Sequence, residues 1–341
     1  MTEFWDTGVR SMRSIKDLGE REIIKIIVGK LGSMHDMPIP FGDDVAAIRL
    51  DSGKLIIMKA DMLVGKTDVP PSMSFRQAAR KAIVMCVSDF AAKGVKPLAA
   101  LISIGLPSNL TERDVEEIGL GLNDGATEYG INIIGGDTNE ASDLIIDCMM
   151  IGLCEEKRVV RRSGAKPGDI LAVTGYFGKT SAGLRILLEG LSPPDYIKKP
   201  LIESVLFPKA RLKEGLALAG LGGLTSSIDS SDGLAWSLYE LSETGKVGFL
   251  IKKIPIAPEA KLFAEKYGLD PVSLSLYGGE EYELVVTVKP NMFEKAREVL
   301  ENIGAQLIEV GEVISEKKVY MEIDGKRVIV ERKGWEHFKS T

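Results

Sequence analysis

The run LGEREIIKIIVGKL, residues 18–31, places apolar side chains at helical spacing and predicts a helix. Behind it, VAAIRL and KLIIMKADMLV read as strands joined by the turn DSGK, and a long helix is expected from about Ser74 to Lys93. A strand, LAALISIGLP, precedes a helix opened by Thr111, with Asp114 three residues on and Val115, Ile118 and Leu122 on one face. INIIGGDT and DLIIDCMMIGLCE read as two further strands. At EEKRVVRRSGAKPGD, residues 155–169, charge, glycine and proline replace the apolar pattern and mark a boundary. Beyond it, ILAVTG predicts a strand, and TSAGLRILLEG and IDSSDGLAWSLYELSE predict helices. YELVVTV, NMFEKAREVLENIG and AQLIEVGEV then read as strand, helix and strand. The expected architecture is α+β, with a polar, mobile arm (1–16) and two domains of comparable size, 17–155 and 156–341.

Composition narrows the chemistry. With 341 residues, 45% of them hydrophobic, the chain can bury a sizeable core. A net charge of −6 supplies no basic patch to follow a nucleic-acid backbone, so nucleic acid is not an expected partner. No segment approaches the ~20 uninterrupted apolar residues of a membrane span, and the first residues lack a signal-peptide core. The three cysteines, Cys86, Cys148 and Cys154, show no CxxC spacing, which argues against a disulfide framework or thiolate zinc site and for a cytoplasmic protein. Two histidines, His35 and His337, offer little imidazole chemistry. Carboxylates, cations and glycine-shaped backbone must carry the function.

The carboxylates are placed unusually. Asp89 follows Cys86, Met85 and Ala82 by three, four and seven residues, so helical geometry sets it on their apolar face. A carboxylate buried there needs a counter-charge. Asp44 lies in FGDDVAAI, Asp61 closes LIIMKAD, Asp137 follows two glycines in IIGGDT, and Asp229 and Asp232 frame the serines of SSIDSSDGLAWSL. Each alone also reads as a turn or cap residue, and Ser231 with Asp232 could serve the start of the following helix. Six in similar surroundings argue for a hard cation, and oxygen-only ligation suits Mg²⁺. The loop before the helix in GYFGKTSAGL offers amides to a phosphate, and the glycines and acids of SLYGGEEYELVV suggest close approach of backbone to a ligand.

Taken in order, FGDDVA, the Ala60-Asp61 pair, CVSDFAAKGVKP, IIGGDT, RSGAKPGD, IDSSDGL, GGEEYEL and the terminal KGWEHF resemble the thiamine-monophosphate kinase family, within the superfamily that includes aminoimidazole ribonucleotide synthetase. The resemblance runs from about residue 17 to residue 338. It implies the two-domain aminoimidazole ribonucleotide synthetase-like fold, with N-terminal sheets pairing across a homodimer into a barrel. It further implies Mg²⁺-assisted transfer of the γ-phosphoryl group of ATP to thiamine monophosphate. Carried over by motif, Asp44, Asp61, Asp89, Asp137, Asp229 and Asp232 are the metal-binding set, and Gly136, Asp137, Arg162 and Ser231 contact the nucleotide. Glu280 and Trp335 contact the thiamine end, and no covalent nucleophile is expected.

Two positions depart from the family pattern. Lys59-Ala60 precedes Asp61 where relatives commonly have Ser-Thr, and Asp68 stands in the following turn where they commonly have His, as the expected substrate contact. Strand alternation puts Lys59 on the face of Asp61, so its ammonium can reach the same region as a counter-charge. An aminoimidazole ribonucleotide synthetase-like enzyme and a non-catalytic nucleotide-binding module are the alternatives. KGWEHF and GGEEYEL favour the thiamine branch over the first, and retention of all six aspartates disfavours the second.

Overall fold

Ser74 opens a 19-residue helix because its hydroxyl accepts the Gln77 amide while the Gln77 side chain reaches back to the Ser74 amide; Gly94, in the left-handed region, ends it. This computed structural model describes residues 14–32, 36–50 and 53–338. They fall into two units, one of the residues up to Asp36 together with Trp335–Phe338, the other Met37–Gly334. The first unit holds α1 (Ile15–Leu18) and α2 (Glu20–Val28). Most of the arm expected at 1–16 lies outside the described residues, although Ile15 and Lys16 open α1.

In the second unit, β1 (Ala46–Arg49), β2 (Lys54–Val64), β3 (Pro97–Leu106), β4 (Asn132–Glu140) and β5 (Ile145–Glu155) form one sheet in the order β1-β2-β5-β3-β4. All its pairs are antiparallel except β3 with β4. A parallel neighbour needs a crossover, and α5 (Glu112–Tyr129) supplies it, following the short α3 (Gly65–Asp68) and the long α4 (Phe75–Lys93). One sheet face turns Leu55, Ile57, Cys148 and Met150 into the core that also holds Ala82, Ile83, Cys86 and Phe90 of α4. The capping box at Thr111 and Asp114 forms as expected, and Ile118 and Leu122 are buried. Val115 is exposed instead, because α5 meets α4 through glycine: a Cβ at Gly121 would lie 2.1 Å from the Arg76 carbonyl oxygen.

The second sheet contains β6 (Ile170–Val173), β7 (Leu224–Asp229), β8 (Gly248–Ile251), β9 (Leu284–Val288), β10 (Ile308–Ile314), β11 (Val319–Ile323) and β12 (Lys326–Ile329), in the order β12-β11-β8-β10-β6-β9-β7. Around it lie α6 (Lys179–Glu189), α7 (Asp195–Leu206), α8 (Leu212–Leu221), α9 (Leu234–Gly245), α10 (Pro258–Tyr267), α11 (Pro271–Tyr277) and α12 (Phe293–Glu301). The helical reading of IDSSDGLAWSLYELSE is corrected at its start: Ile228 and Asp229 finish β7, and the helix begins at Leu234. The same core that joins α4 to the first sheet continues through Leu284, Val286 and Val288 of β9 to Ala296 and Leu300 of α12. With α8 also packed on it through Gly215, whose Cβ would lie 2.0 Å from the Ala91 carbonyl oxygen, α4 is enclosed on nearly every side. That enclosure buries polar side chains as well as apolar ones.

Candidate active site

Three carboxylates meet where the C-terminal half of α4 faces β7 and the segment before β1. Oxygens of Asp44, Asp89 and Asp229 lie within 4.8 Å of one another, and all three residues are buried. Asp89 comes from the apolar face of α4, Asp229 from the last position of β7, and Asp44 from the FGDD turn. Ser88 donates its hydroxyl to Asp229 over 2.7 Å. Burial, and then the nearby Asp44 charge, push the Asp229 carboxyl up to about 6.

Cations hold the other two. The Lys93 ammonium is fully enclosed, 2.7 Å from Asp44 and 2.6 Å from Asp43, and it donates to the Ser227 carbonyl at 3.0 Å. Arg162 donates through Nε to Asp44 at 2.6 Å and through Nη1 to the Gly42 carbonyl at 3.0 Å. Burial alone would raise the Asp44 carboxyl, but Arg162 and then Lys93 outweigh it and hold it below the usual range. Lys59 reaches Asp89 at 2.9 Å. Burial opposes its charge, yet Asp89 and then Asp61 keep the Lys59 ammonium well above the usual lysine range. Lys93 and Asp43 escaped the sequence reading. The doubled acid of FGDD was the one visible signal, since a lysine ending a helix ordinarily reads as solvated.

The remaining expected metal residues lie outside the trio. Asp61 sits on β2 opposite Cys148, on the same sheet face as Lys59. Asp137 is exposed on β4, in register with Ser103 and through it with Asp147, which opposes Met62. It therefore shares a face with Met62, the one turned away from Lys59 and Asp61. Gly136 beside it has a packing reason to be glycine, because a Cβ there would lie 1.8 Å from the Ile102 carbonyl oxygen. Ser231 is exposed and Asp232 half-buried, and the N-cap of α9 is Gly233, so Ser231 is not its cap. Asp232 stands one residue before that cap, where a negative charge suits the helix start.

Two of the three expected substrate residues, Asp68 and Glu280, converge through Lys81. The Lys81 ammonium, buried on α4, pairs with the Glu280 carboxylate and donates to the Asp68 carbonyl at 2.8 Å. The Asp68 carboxylate itself accepts from the Val64 amide at 2.7 Å, bracing its own turn. Glu280 and Tyr282 have φ of 62° and 52°, conformations that cost non-glycine residues roughly 1–3 kcal/mol each. Backbone bonds to the β7 loop hold them there: the Glu280 amide donates to the Ser231 carbonyl at 2.6 Å and the Tyr282 amide to the Ser230 carbonyl at 2.9 Å. Trp335 belongs to the first unit, where it is partly exposed and meets the His337 ring edge-on at 5.8 Å.

Both glycine-loop expectations are corrected. The amides at the start of α6 meet an anion of the chain itself, since the Glu281 carboxylate accepts from Gly178 at 2.7 Å and Thr180 at 3.1 Å. Close approach at GGEE is to α6, where a Cβ on Gly278 would lie 2.4 Å from the Ser181 Cβ. Burial pushes the Glu281 carboxyl up to about 7.

Fold and sequence define the class: residues 42–154 match the family described as AIR synthase related protein, N-terminal domain. A thiamine-monophosphate kinase from Nitrosopumilus maritimus is 38% identical over 322 residues, covering 94% of this chain and 99% of its own length. Another, from Pyrococcus horikoshii, is 37% identical over 322 residues, with coverage of 94% and 96%. The solved structure described as AaThiL complexed with AMPPCP and TMP has a TM-score of 0.83 at 32% identity, covering 96% of this chain and 99% of that one. The chain belongs to the thiamine-monophosphate kinase family.

Proposed function

We propose that this chain transfers the γ-phosphoryl group of ATP directly to the phosphate of thiamine monophosphate, yielding thiamine diphosphate. The observation that carries the reading is a buried all-oxygen trio, Asp44, Asp89 and Asp229, in a chain of this family. AMPPCP, named in the relative's complex, is an ATP analogue, which supports ATP as the donor.

The trio fits Mg²⁺ by donor type and by charge: Asp229 faces a hydroxyl rather than a cation, and burial raises its carboxyl. When bound, Mg²⁺ supplies neutralisation of charge on the reacting phosphates. Asp61 and Asp232 complete the metal set in this reading, while Asp137, expected with them, stands on the opposite face of the first sheet. Gly136, Arg162 and Ser231 are its nucleotide contacts, and Asp68 and Glu280 its contacts to the thiamine end. The face shared by Lys59 and Asp61 supports the role of Asp61.

The chain's own residues do positional work. Lys93 and Arg162 keep Asp44 ionised, Ser88 orients Asp229, and Lys81 presets Glu280. No general base is required, because the accepting phosphate oxygen is already anionic near neutral pH. Cys86 and Cys148 are buried and serve as core, with the Cys86 thiol directed at the Cys148 carbonyl.

In the same reading, residues 17–155 form the nucleotide and dimer half and 156–341 complete the site. Met62, Leu101 and Leu153 are exposed on one face of the first sheet, which supports pairing of two copies through that face. No helix among the described residues is long and apolar enough to cross a membrane. With three free cysteines, a cytoplasmic enzyme is the consistent reading.

The test is incubation with Mg²⁺, thiamine monophosphate and ATP made chiral at the γ-phosphorus. Thiamine diphosphate with inverted configuration is expected. Retention would indicate a phosphoenzyme, and absence of the diphosphate would reject the activity. Light scattering tests the pairing, with Leu101→Lys expected to halve the mass; an unchanged dimer would move the interface elsewhere.

A further inference from the structure

Each carboxylate of the trio has a different partner. Asp44 is shared by Lys93 and Arg162, Asp229 is met by the Ser88 hydroxyl, and Asp89 is met by Lys59 at 2.9 Å. The two lysines differ in freedom. Lys93 is 0% exposed and bonded to Asp43, Asp44 and the Ser227 carbonyl, so it is fixed. Lys59 is less enclosed, with a side chain 24% exposed and an ion pair to one carboxylate, Asp89. It stands on β2 two residues before Asp61, on the sheet face that α4 covers, and therefore projects toward Asp89 from the strand side.

We propose that Lys59 is a tethered counter-cation that competes with a divalent ion for Asp89. The inference rests on the reading of the trio as a cation site and adds the residue that sets how readily that site takes its ion. A single charge on a flexible stem keeps Asp89 compensated when no ion is bound. A divalent ion at Asp89 must displace or repel that ammonium, so the lysine weakens ion binding and raises the ion concentration at which the site fills. Were Lys59 only a solvated strand residue, its removal would not change ion binding beyond the effect of any surface charge.

Mn²⁺ alone, without nucleotide, is titrated into the wild-type protein and Lys59→Met by electron paramagnetic resonance. Lys59→Met is expected to bind Mn²⁺ at least about tenfold more tightly or with an added equivalent, because a unit charge near the ion is removed. The control is Lys54→Met, at the exposed start of the same strand. It is expected to leave the isotherm unchanged; equal tightening in both variants overturns the proposal, as does an identical isotherm for Lys59→Met and wild type. Loss of Mn²⁺ binding in both wild type and Lys59→Met rejects the cation-site reading and this inference with it.

A second measurement needs no variant and covers failure of Lys59→Met to fold. In the wild type, saturating Mg²⁺ is expected to raise amine acylation of Lys59 several-fold by mass spectrometry, with Lys54 labelling constant. Unchanged Lys59 labelling overturns the competition.

Discussion

Ser88 and Asp229 join the two sheets at one bond: the hydroxyl from α4 reaches the carboxylate that ends β7 over 2.7 Å. The bond opposes the effect of burial on Asp229, whose carboxyl still lies at about 6. A folded-state pKa raised above the unfolded value of 3.8 gives stability that is full below about 3.8 and lost as pH rises to about 6. Ser88→Ala removes the opposing bond and carries the loss beyond pH 6. In EDTA, the variant should fall below wild type by about 1–3 kcal/mol at pH 8 and by less at pH 5. Activity needs the ionised form, so its acid limb should move to higher pH. Melting curves across that range check the first point, and an offset independent of pH would contradict it.

The Lys81–Glu280 pair is buried on the lysine side and a quarter exposed on the other. Removing Lys81 leaves the Glu280 charge and the Asp68 carbonyl without their donor, so Lys81→Met should cost about 3–5 kcal/mol, reduced by the exposure of Glu280. Lys81→Met/Glu280→Gln should recover part of that loss. It should not recover KM for thiamine monophosphate if Glu280 touches the substrate. Denaturant melts and steady-state kinetics on the double-mutant cycle separate the roles. A KM restored along with stability would make Glu280 purely structural.

Glu281 should act on stability without acting on chemistry. Its carboxyl is buried, raised to about 7, and bonded to the Gly178 and Thr180 amides. The contribution of a carboxyl raised above its unfolded 4.5 is greatest at acid pH and declines between about 4.5 and 7, then stays level. Glu281→Gln lacks that decline while keeping an acceptor for both amides. Wild type and variant should therefore diverge as pH rises through that window, reaching at most roughly 3 kcal/mol in favour of the variant above pH 7. Equal pH slopes would show that the amides, not burial, govern this carboxyl.

The aspartates were legible in sequence because a carboxylate on an apolar helix face or at a strand end breaks the expected pattern. Asp89 is the clear case. Lys81 and Lys93 were not legible, although they are as deeply buried as Phe90. A lysine beside Arg80, or in the last position of a helix before Gly94, carries no local mark of burial, which here comes from α5, α8 and the second sheet closing around α4. The first sheet was read strand by strand, whereas α7, α8, α10, α11, β8, β11 and β12 were not. LKEGLALAGL of α8 shows why: apolar residues nearly all round leave no periodicity to read, and its contact with α4 depends on distant chain. Asp137 shows the limit for the site, since residue type suggested a common cluster but β-sheet register sets it on another face.

Asp89→Asn gives the most direct test of the trio. The amide keeps the side-chain volume and one acceptor while removing the charge that pairs with Lys59. Lys59 retains the Asp61 charge on its own sheet face, so it is not stranded. The trio loses one of three mutually repelling carboxylates, which offsets the lost pair. The fold should therefore persist, with a melting temperature within a few degrees of wild type in EDTA. Turnover should fall roughly 10²–10³-fold or more, the scale of losing one preorganised electrostatic group at a reacting centre. Circular dichroism checks the first and product formation the second. Near-normal turnover in a folded Asp89→Asn protein would remove Asp89 from the reacting centre, and the Lys59 contact would then be an ordinary ion pair.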